Sequence, residues 1–139
     1  MTLHQCVGAL IVQQDTILLG QRSPTRTFYP NVWDIFGGHI EPGEQPNQTL
    51  HRELWEELGI RPTQWMHVET LVEAVAERDE TVEYHVYLVL AWQGTAVNQQ
   101  PEEHTTIEWF TLEQTAQLEL AHPAYRDLFA GVLACAAPT

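Results

Sequence analysis

Apolar residues recur along this chain at strand and at helix spacings, and the gaps between them are filled by Gly, Pro and polar turn residues. Val7-Gly8-Ala9-Leu10-Ile11-Val12 is a continuous apolar run of strand length, and the polar Gln13-Gln14-Asp15 turns it into a second run, Thr16-Ile17-Leu18-Leu19. From Gln21 to Asn31 the composition shifts to Ser, Pro, Thr, Arg and Asn, which predicts an irregular loop. Trp33-Asp34-Ile35-Phe36 predicts a brief extended stretch that stops at Gly37-Gly38. Beyond Pro42-Gly43, helix-forming residues run from Asn47 to Leu58, and Gly59 supplies the stop. Two longer strands follow, from Val68 to Glu77 and from Val82 to Trp92, joined by the polar Arg78-Asp79-Glu80. In the second, Val82, Tyr84, Val86, Leu88, Leu90 and Trp92 alternate on one face and Glu83, His85 and Tyr87 on the other, so one face is expected to pack and the other to line a site. Ile107 to Phe110 predicts a short strand, and Tyr125 to Ala136 a closing helix with Leu128, Val132 and Cys135 near helical spacing. Strands with helices placed between and after them predict an α/β sandwich of the α+β kind, not a doubly wound sheet.

The chain has 139 residues, 44% of them hydrophobic, with no repeat or low-complexity tract, which predicts one domain over residues 1–139. Its charge changes the picture more. Nineteen acidic residues face six basic ones for a net −13, and all six are arginines. Without lysine there is no Schiff base and no phosphate-binding P-loop lysine. Wrapping a polymeric nucleic acid is not expected, because the net field repels a polyanion. Ser23 is the only serine, so a Gly-x-Ser-x-Gly nucleophile elbow is absent. Cys6 and Cys135 stand at opposite ends of the chain, which argues against a clustered zinc site or a disulfide framework and predicts buried thiols in a reducing compartment. No stretch approaches the roughly 20 apolar residues of a membrane span, and the first residues lack a signal-peptide pattern. A cytoplasmic protein without membrane contact is expected; the residues 136–139 are expected to fray.

Five of the acidic residues fall between Glu41 and Glu57, three of them in Arg52-Glu53-Leu54-Trp55-Glu56-Glu57. On a helix, Glu53, Glu56 and Glu57 project within a sector of roughly 100°, while Leu50, Leu54 and Leu58 occupy the adjacent flank. Like charges so placed repel, and a divalent cation removes the repulsion; carboxylates that leave some waters in place are the usual ligands of magnesium, which commonly brings a phosphate with it. Gly37-Gly38 permits close backbone approach ahead of the helix, and Glu44 stands where a carboxylate can accept from free helix amides.

Gly38, five residues, Glu44, seven residues, Arg52-Glu53-Leu54, one residue, Glu56-Glu57, one residue, Gly59-Ile60 matches every fixed position of the Nudix hydrolase signature. The chain resembles that family. Gln93-Gly94 after the second long strand, and Glu103 six residues ahead of Trp109-Phe110, look like the layout of MutT-type nucleoside triphosphate pyrophosphohydrolases. The resemblance implies a Nudix-like α/β/α sandwich with a mixed sheet, and hydrolysis of a nucleoside diphosphate linked to another group. It implies metal binding by Glu53, Glu56 and Glu57 with a backbone carbonyl of Gly37 or Gly38, the ion being Mg2+ or, in its place, Mn2+. Arg52 resembles the arginine that orients a box glutamate, and Glu44 is expected to stabilise the loop. The catalytic base is expected at Glu53 or Glu103, with Glu102 one residue away. Arg22, and more weakly Arg26, are candidates for a substrate phosphate; His39 and His85 are further substrate-binding candidates, and Trp33, Tyr29, Phe28 and Tyr87 for stacking on a base. Phe36 stands where many relatives have proline, and Leu118 to Tyr125 shows no equivalent of the asparagine that reads purines in MutT-type enzymes. The expected substrate is a small nucleotide, a nucleoside triphosphate, with oxidised purine nucleotides among the candidates, cleaved to monophosphate and pyrophosphate. ADP-ribose or a nucleotide sugar is the alternative, and three intact box carboxylates speak against a catalytically silent sensor.

Overall fold

The computed structural model describes residues 2–27 and 29–136. Phe28, the side chain of Cys135 and residues 137–139, for which stacking, burial and fraying were expected, lie outside the described residues. In chain order the elements are β1 (Thr2–Gln13), β2 (Thr16–Arg22), β3 (Trp33–Asp34), β4 (Phe36–His39), α1 (Pro46–Leu58), β5 (Arg61–Val75), a 3-10 turn (Ala76–Arg78), β6 (Glu80–Gln93), β7 (His104–Thr111), α2 (Leu112–Thr115) and α3 (Tyr125–Ala136). The sheet runs β3-β2-β1-β6-β5, with β4 also paired to β1 and β7 to β2. It is mixed: β1 and β6 are parallel from Thr2 opposite Glu80 to Ile11 opposite Val89, and the other pairs are antiparallel.

The apolar run in β1 has no polar face because both of its faces are covered. Ala9 and Ile11 join Leu18, Phe36 and Val89 against Leu50, Leu54 and Leu58 of α1. Leu10 and Val12 join Ile17, Leu19, Val86 and Leu88 against Phe129, Val132 and Leu133 of α3. Helix, sheet and helix therefore form the three layers expected of an α/β/α sandwich.

Pro46 opens α1 one residue ahead of Asn47, at the position where a missing amide hydrogen costs nothing, and Gln45 N–H donates to Gln48 Oε1 over 2.7 Å. Gly59 closes the helix in the left-handed region at φ 70° and donates its N–H to Trp55 O over 3.0 Å. Strand β5 begins at Arg61, well before Val68, because irregularities at Pro62/Gln64, Gln64/Trp65 and His67/Glu69 break the alternation that marks a strand in sequence. Strand β6 also slips: Val89 faces Trp65 and Ala91 faces Gln64, leaving Leu90 as an extra, exposed residue. Past that bulge Trp92 packs on the α1 side, stacked on Trp109 at 6.0 Å, so the alternation expected up to Trp92 holds only as far as Leu88.

Strand β4 sets Gly37 opposite Gly8 and Gly38 opposite Val7. Gly37 lies at φ 155°, and a Cβ there would overlap the carbonyl oxygen of Val7; at Gly38 it would press into the Glu53 carboxylate. The two glycines thus let β4 pass between β1 and the acidic face of α1.

Candidate active site

Burial of Leu50, Leu54 and Leu58 fixes the rotation of α1 and turns Glu53 and Glu57 towards Gly37. Glu57 is 5% exposed and accepts from Gly37 N–H through Oε2 at 3.1 Å. The Glu53 side chain is 15% exposed, whereas that of Glu56 is 45% exposed and sits at the lip. All three carboxylates line one groove of about 1040 Å³.

Arg52 is engaged on every side. Its Nε and Nη2 donate to the two oxygens of Glu44 at 2.7 and 3.0 Å, a bidentate pair, and Nη2 also donates to His39 O at 3.1 Å. Its Nη1 donates to Glu53 Oε1 at 2.9 Å and lies 3.4 Å from Glu56. An arginine so held fixes one oxygen of Glu53 in place. Glu44 further accepts from Glu41 N–H at 3.0 Å and Thr49 Oγ1 at 2.7 Å, and the Arg52 hydrogen bonds, then that amide and hydroxyl, hold its carboxyl down to about 2. It stabilises the loop, as its position implies.

Burial, then the neighbouring Glu53 and Glu103, pushes Glu57 up to about 9 against the opposing Gly37 amide. Glu53 is raised by burial in spite of Arg52. These are carboxyl groups in need of a cation. Ligand atoms of Glu57, Glu103 and His104 lie within 4.8 Å of one another, so an imidazole joins the oxygen donors. Burial first, then Arg26 and Arg22, brings His104 down to about 4, which keeps the ring neutral and able to donate a lone pair. This donor set fits a divalent cation. Nothing in sequence distinguished His104, a single histidine after two glutamates. Glu102 is exposed and absent from the groove lining.

Arg22, Arg26, His39 and Tyr29 line the groove as expected of substrate-facing groups. Arg22 is anchored there, with Nη1 3.2 Å from Asp34 Oδ2 and Nε donating to Tyr29 O at 3.0 Å. Asp34 also accepts from Tyr125 Oη and from Ile35 N–H, each at 2.8 Å, and burial raises both Asp34 and Tyr125. This buried cluster had no sequence signal, because Asp34 and Tyr125 are distant in the chain.

His85 is not where its polar strand face implied. The β6 residues that line the groove are Glu80, Val82 and Tyr84, ahead of Val86 and Leu88, which are buried in the core with α3. His85 points to the opposite side with Glu83, its Nε2 3.7 Å from that carboxylate. Trp33 packs edge-on against Phe110 at 4.9 Å, and Tyr87 lies beside His67 at 5.6 Å; neither lines the groove.

The chain matches the NUDIX domain family over residues 2–132. It belongs to the Nudix family. This Nudix hydrolase is 35% identical over 121 residues to the CTP pyrophosphohydrolase of Escherichia coli strain K12, a match that covers 87% of this chain and 85% of that one. It is 32% identical over 92 residues to the 8-oxo-dGTP diphosphatase of Proteus vulgaris, covering 66% and 80%. It superposes with a TM-score of 0.84 on the crystal structure of a MutT NUDIX hydrolase from Burkholderia pseudomallei, at 26% identity over 95% of this chain and 99% of the other. The protein is a MutT-like Nudix hydrolase, an enzyme acting on acid anhydrides. Enzymes of this family need a divalent metal, and the acidic cluster of this Nudix hydrolase suits one. Among the described residues, no helix is long and apolar enough to cross a membrane.

Proposed function

We propose that residues 1–139 form one Nudix hydrolase domain, which cleaves a nucleoside triphosphate, with Mg2+, to the monophosphate and pyrophosphate. The observation that carries this reading is the buried, cation-deficient carboxylate group at one end of a groove large enough for a nucleotide. The similarity to relatives named for triphosphate substrates supports it.

Glu53, Glu56, Glu57 and Glu103 would hold the cation, with a backbone carbonyl of Gly37 or Gly38. When bound, the ion neutralises phosphate charge and lowers the pKa of a coordinated water. The water oxygen adds to a phosphorus of the α,β-anhydride, the bond from that phosphorus to the bridging oxygen breaks, and monophosphate and pyrophosphate separate. We assign the water proton to Glu53: Arg52 fixes its Oε1, burial raises its basicity, and Oε2 is left to accept. Glu103, grouped with Glu57 and His104, is assigned to the cation. We assign Arg26 and His39 to substrate phosphates and Tyr29 to a base, a reading their place in the groove lining supports; the anchored Arg22 would lend positive charge there.

The test is a product analysis with Mg2+ across canonical and oxidised nucleoside triphosphates, ADP-ribose, nucleotide sugars and a 5′-triphosphorylated oligoribonucleotide. Nucleoside monophosphate plus pyrophosphate is expected. Two monophosphates from a linked diphosphate as the only reaction, or turnover of the oligoribonucleotide alone, overturns the reading. Glu53→Gln is expected to lose about 10²–10⁴ in kcat, and Glu53→Gln with unchanged turnover refutes its role.

A further inference from the structure

We infer that His104 contributes an imidazole nitrogen to the cation held by Glu57 and Glu103, making a mixed nitrogen and oxygen site that favours Mn2+ over Mg2+. This rests on the metal-dependent reading above. Three observations carry it. A ring nitrogen of His104 and carboxylate oxygens of Glu57 and Glu103 lie within 4.8 Å of one another, each from a residue that lines the same groove. The residue is only 5% exposed, yet among the described residues its ring nitrogens have no hydrogen-bond partner; the bonds His104 does make run through its backbone, to Asn98 Nδ2 at 2.7 Å and Gln100 O at 3.1 Å. A histidine that served packing alone would be as well replaced by an apolar ring, whereas an imidazole whose body is packed and whose ring nitrogens open on the groove beside two carboxylates has the form of a ligand.

The ring is also fixed before any ion arrives. It lies 5.1 Å from the Phe36 ring, and it fills the space over Gly20, where a Cβ would come within 2.7 Å of its Cδ2. His104 opens β7 opposite Arg22, so the strand pairing sets its backbone position as well. An all-carboxylate site suits Mg2+, which keeps oxygen ligands and several waters. One neutral imidazole shifts the balance towards first-row transition ions.

Pulsed electron paramagnetic resonance on the full chain with Mn2+ alone tests this, with metal affinities measured in parallel by calorimetry. Wild type is expected to show nitrogen coupling from a histidine, and the coupling is expected to persist in the His4→Ala/His39→Ala/His122→Ala triple variant, which removes the other imidazoles that line the groove. His104→Gln is expected to lose the coupling and at least tenfold in Mn2+ affinity, with Mg2+ affinity changed less than threefold. Mn2+ bound to wild type without nitrogen coupling overturns the inference and leaves the metal-dependent reading standing. Coupling lost in the triple variant overturns it too, by assigning the nitrogen elsewhere. Failure of wild type to bind either ion overturns both. The wild-type and triple-variant measurements decide the matter even if His104→Gln does not fold.

Discussion

Glu57→Gln is expected to stabilise the metal-free protein while abolishing its response to Mg2+. Glu57 is buried, and its pKa stands near 9 against an ordinary 4.5. A carboxyl raised in the folded state leaves stability intact below the unfolded value and removes it progressively as pH climbs through the folded one. At pH 8 the folded protein holds a proton that the unfolded chain has released, at a cost of about 5 kcal/mol from 1.36 kcal/mol per pH unit. Relaxation of the neighbouring carboxylates and entry of water make that figure a ceiling. The amide keeps the acceptor for Gly37 N–H and carries no charge, so it escapes this cost. For a domain of this size 1 kcal/mol moves Tm by about 3 °C, and a rise between about 4 and 15 °C is expected in EDTA at pH 8. At pH 5 the two proteins are expected to melt within about 3 °C of each other, and at pH 8 Mg2+ is expected to raise Tm for wild type only. Thermal unfolding followed by circular dichroism reads all three. A Glu57→Gln protein that melts below wild type at pH 8, or differs from it equally at both pH values, refutes the electrostatic reasoning.

Leu54→Ala removes a fully buried side chain from the flank that aims the α1 carboxylates, and urea unfolding is expected to show a loss of about 2–5 kcal/mol. Arg52→Ala frees Glu53 and leaves Glu44 without its guanidinium; kcat is expected to fall about 10–100-fold with KM changed less, measured as pyrophosphate release, and Arg52→Lys is expected to recover little because it cannot form the bidentate pair. His85→Ala is expected to leave kcat/KM within twofold of wild type, since its side chain faces away from the groove; a larger drop would return His85 to the list of substrate contacts.

What sequence made legible was what is local. The box helix reads directly because leucines at every fourth position set its rotation, and that rotation decides which glutamates share a face. Gly59 could be placed because it meets a backbone demand of its own helix, whereas Gly37 and Gly38 are marked by the box spacing and what they make room for, Val7 and Glu53, lies in other elements. Strand β5 was half hidden because its bulges break the period-two pattern from which strands are recognised. The polar face of β6 misleads for His85 because the groove opens instead on the more apolar face, over Val82 and Tyr84. The link between Arg22, Asp34 and Tyr125, and the meeting of His104 with Glu57, join segments far apart in sequence. No spacing rule reaches across such separations.

The parallel pairing of β1 with β6 has a consequence for how the chain comes into being. Thr2 is opposite Glu80, and every residue through Ile11 waits for a partner in Glu80–Gln93. During synthesis the apolar Val7-Gly8-Ala9-Leu10-Ile11-Val12 run therefore emerges with β2 and β4 as its early strand neighbours, and one edge stays open until Glu80–Val89 has been made. Closing that loop places a long-range step in the path to the native state, which slows folding and exposes a sticky strand edge meanwhile. The first strand of this sheet to be synthesised is thus among the last to be completed, and nascent chains stalled before β6 are expected to be especially exposed to aggregation.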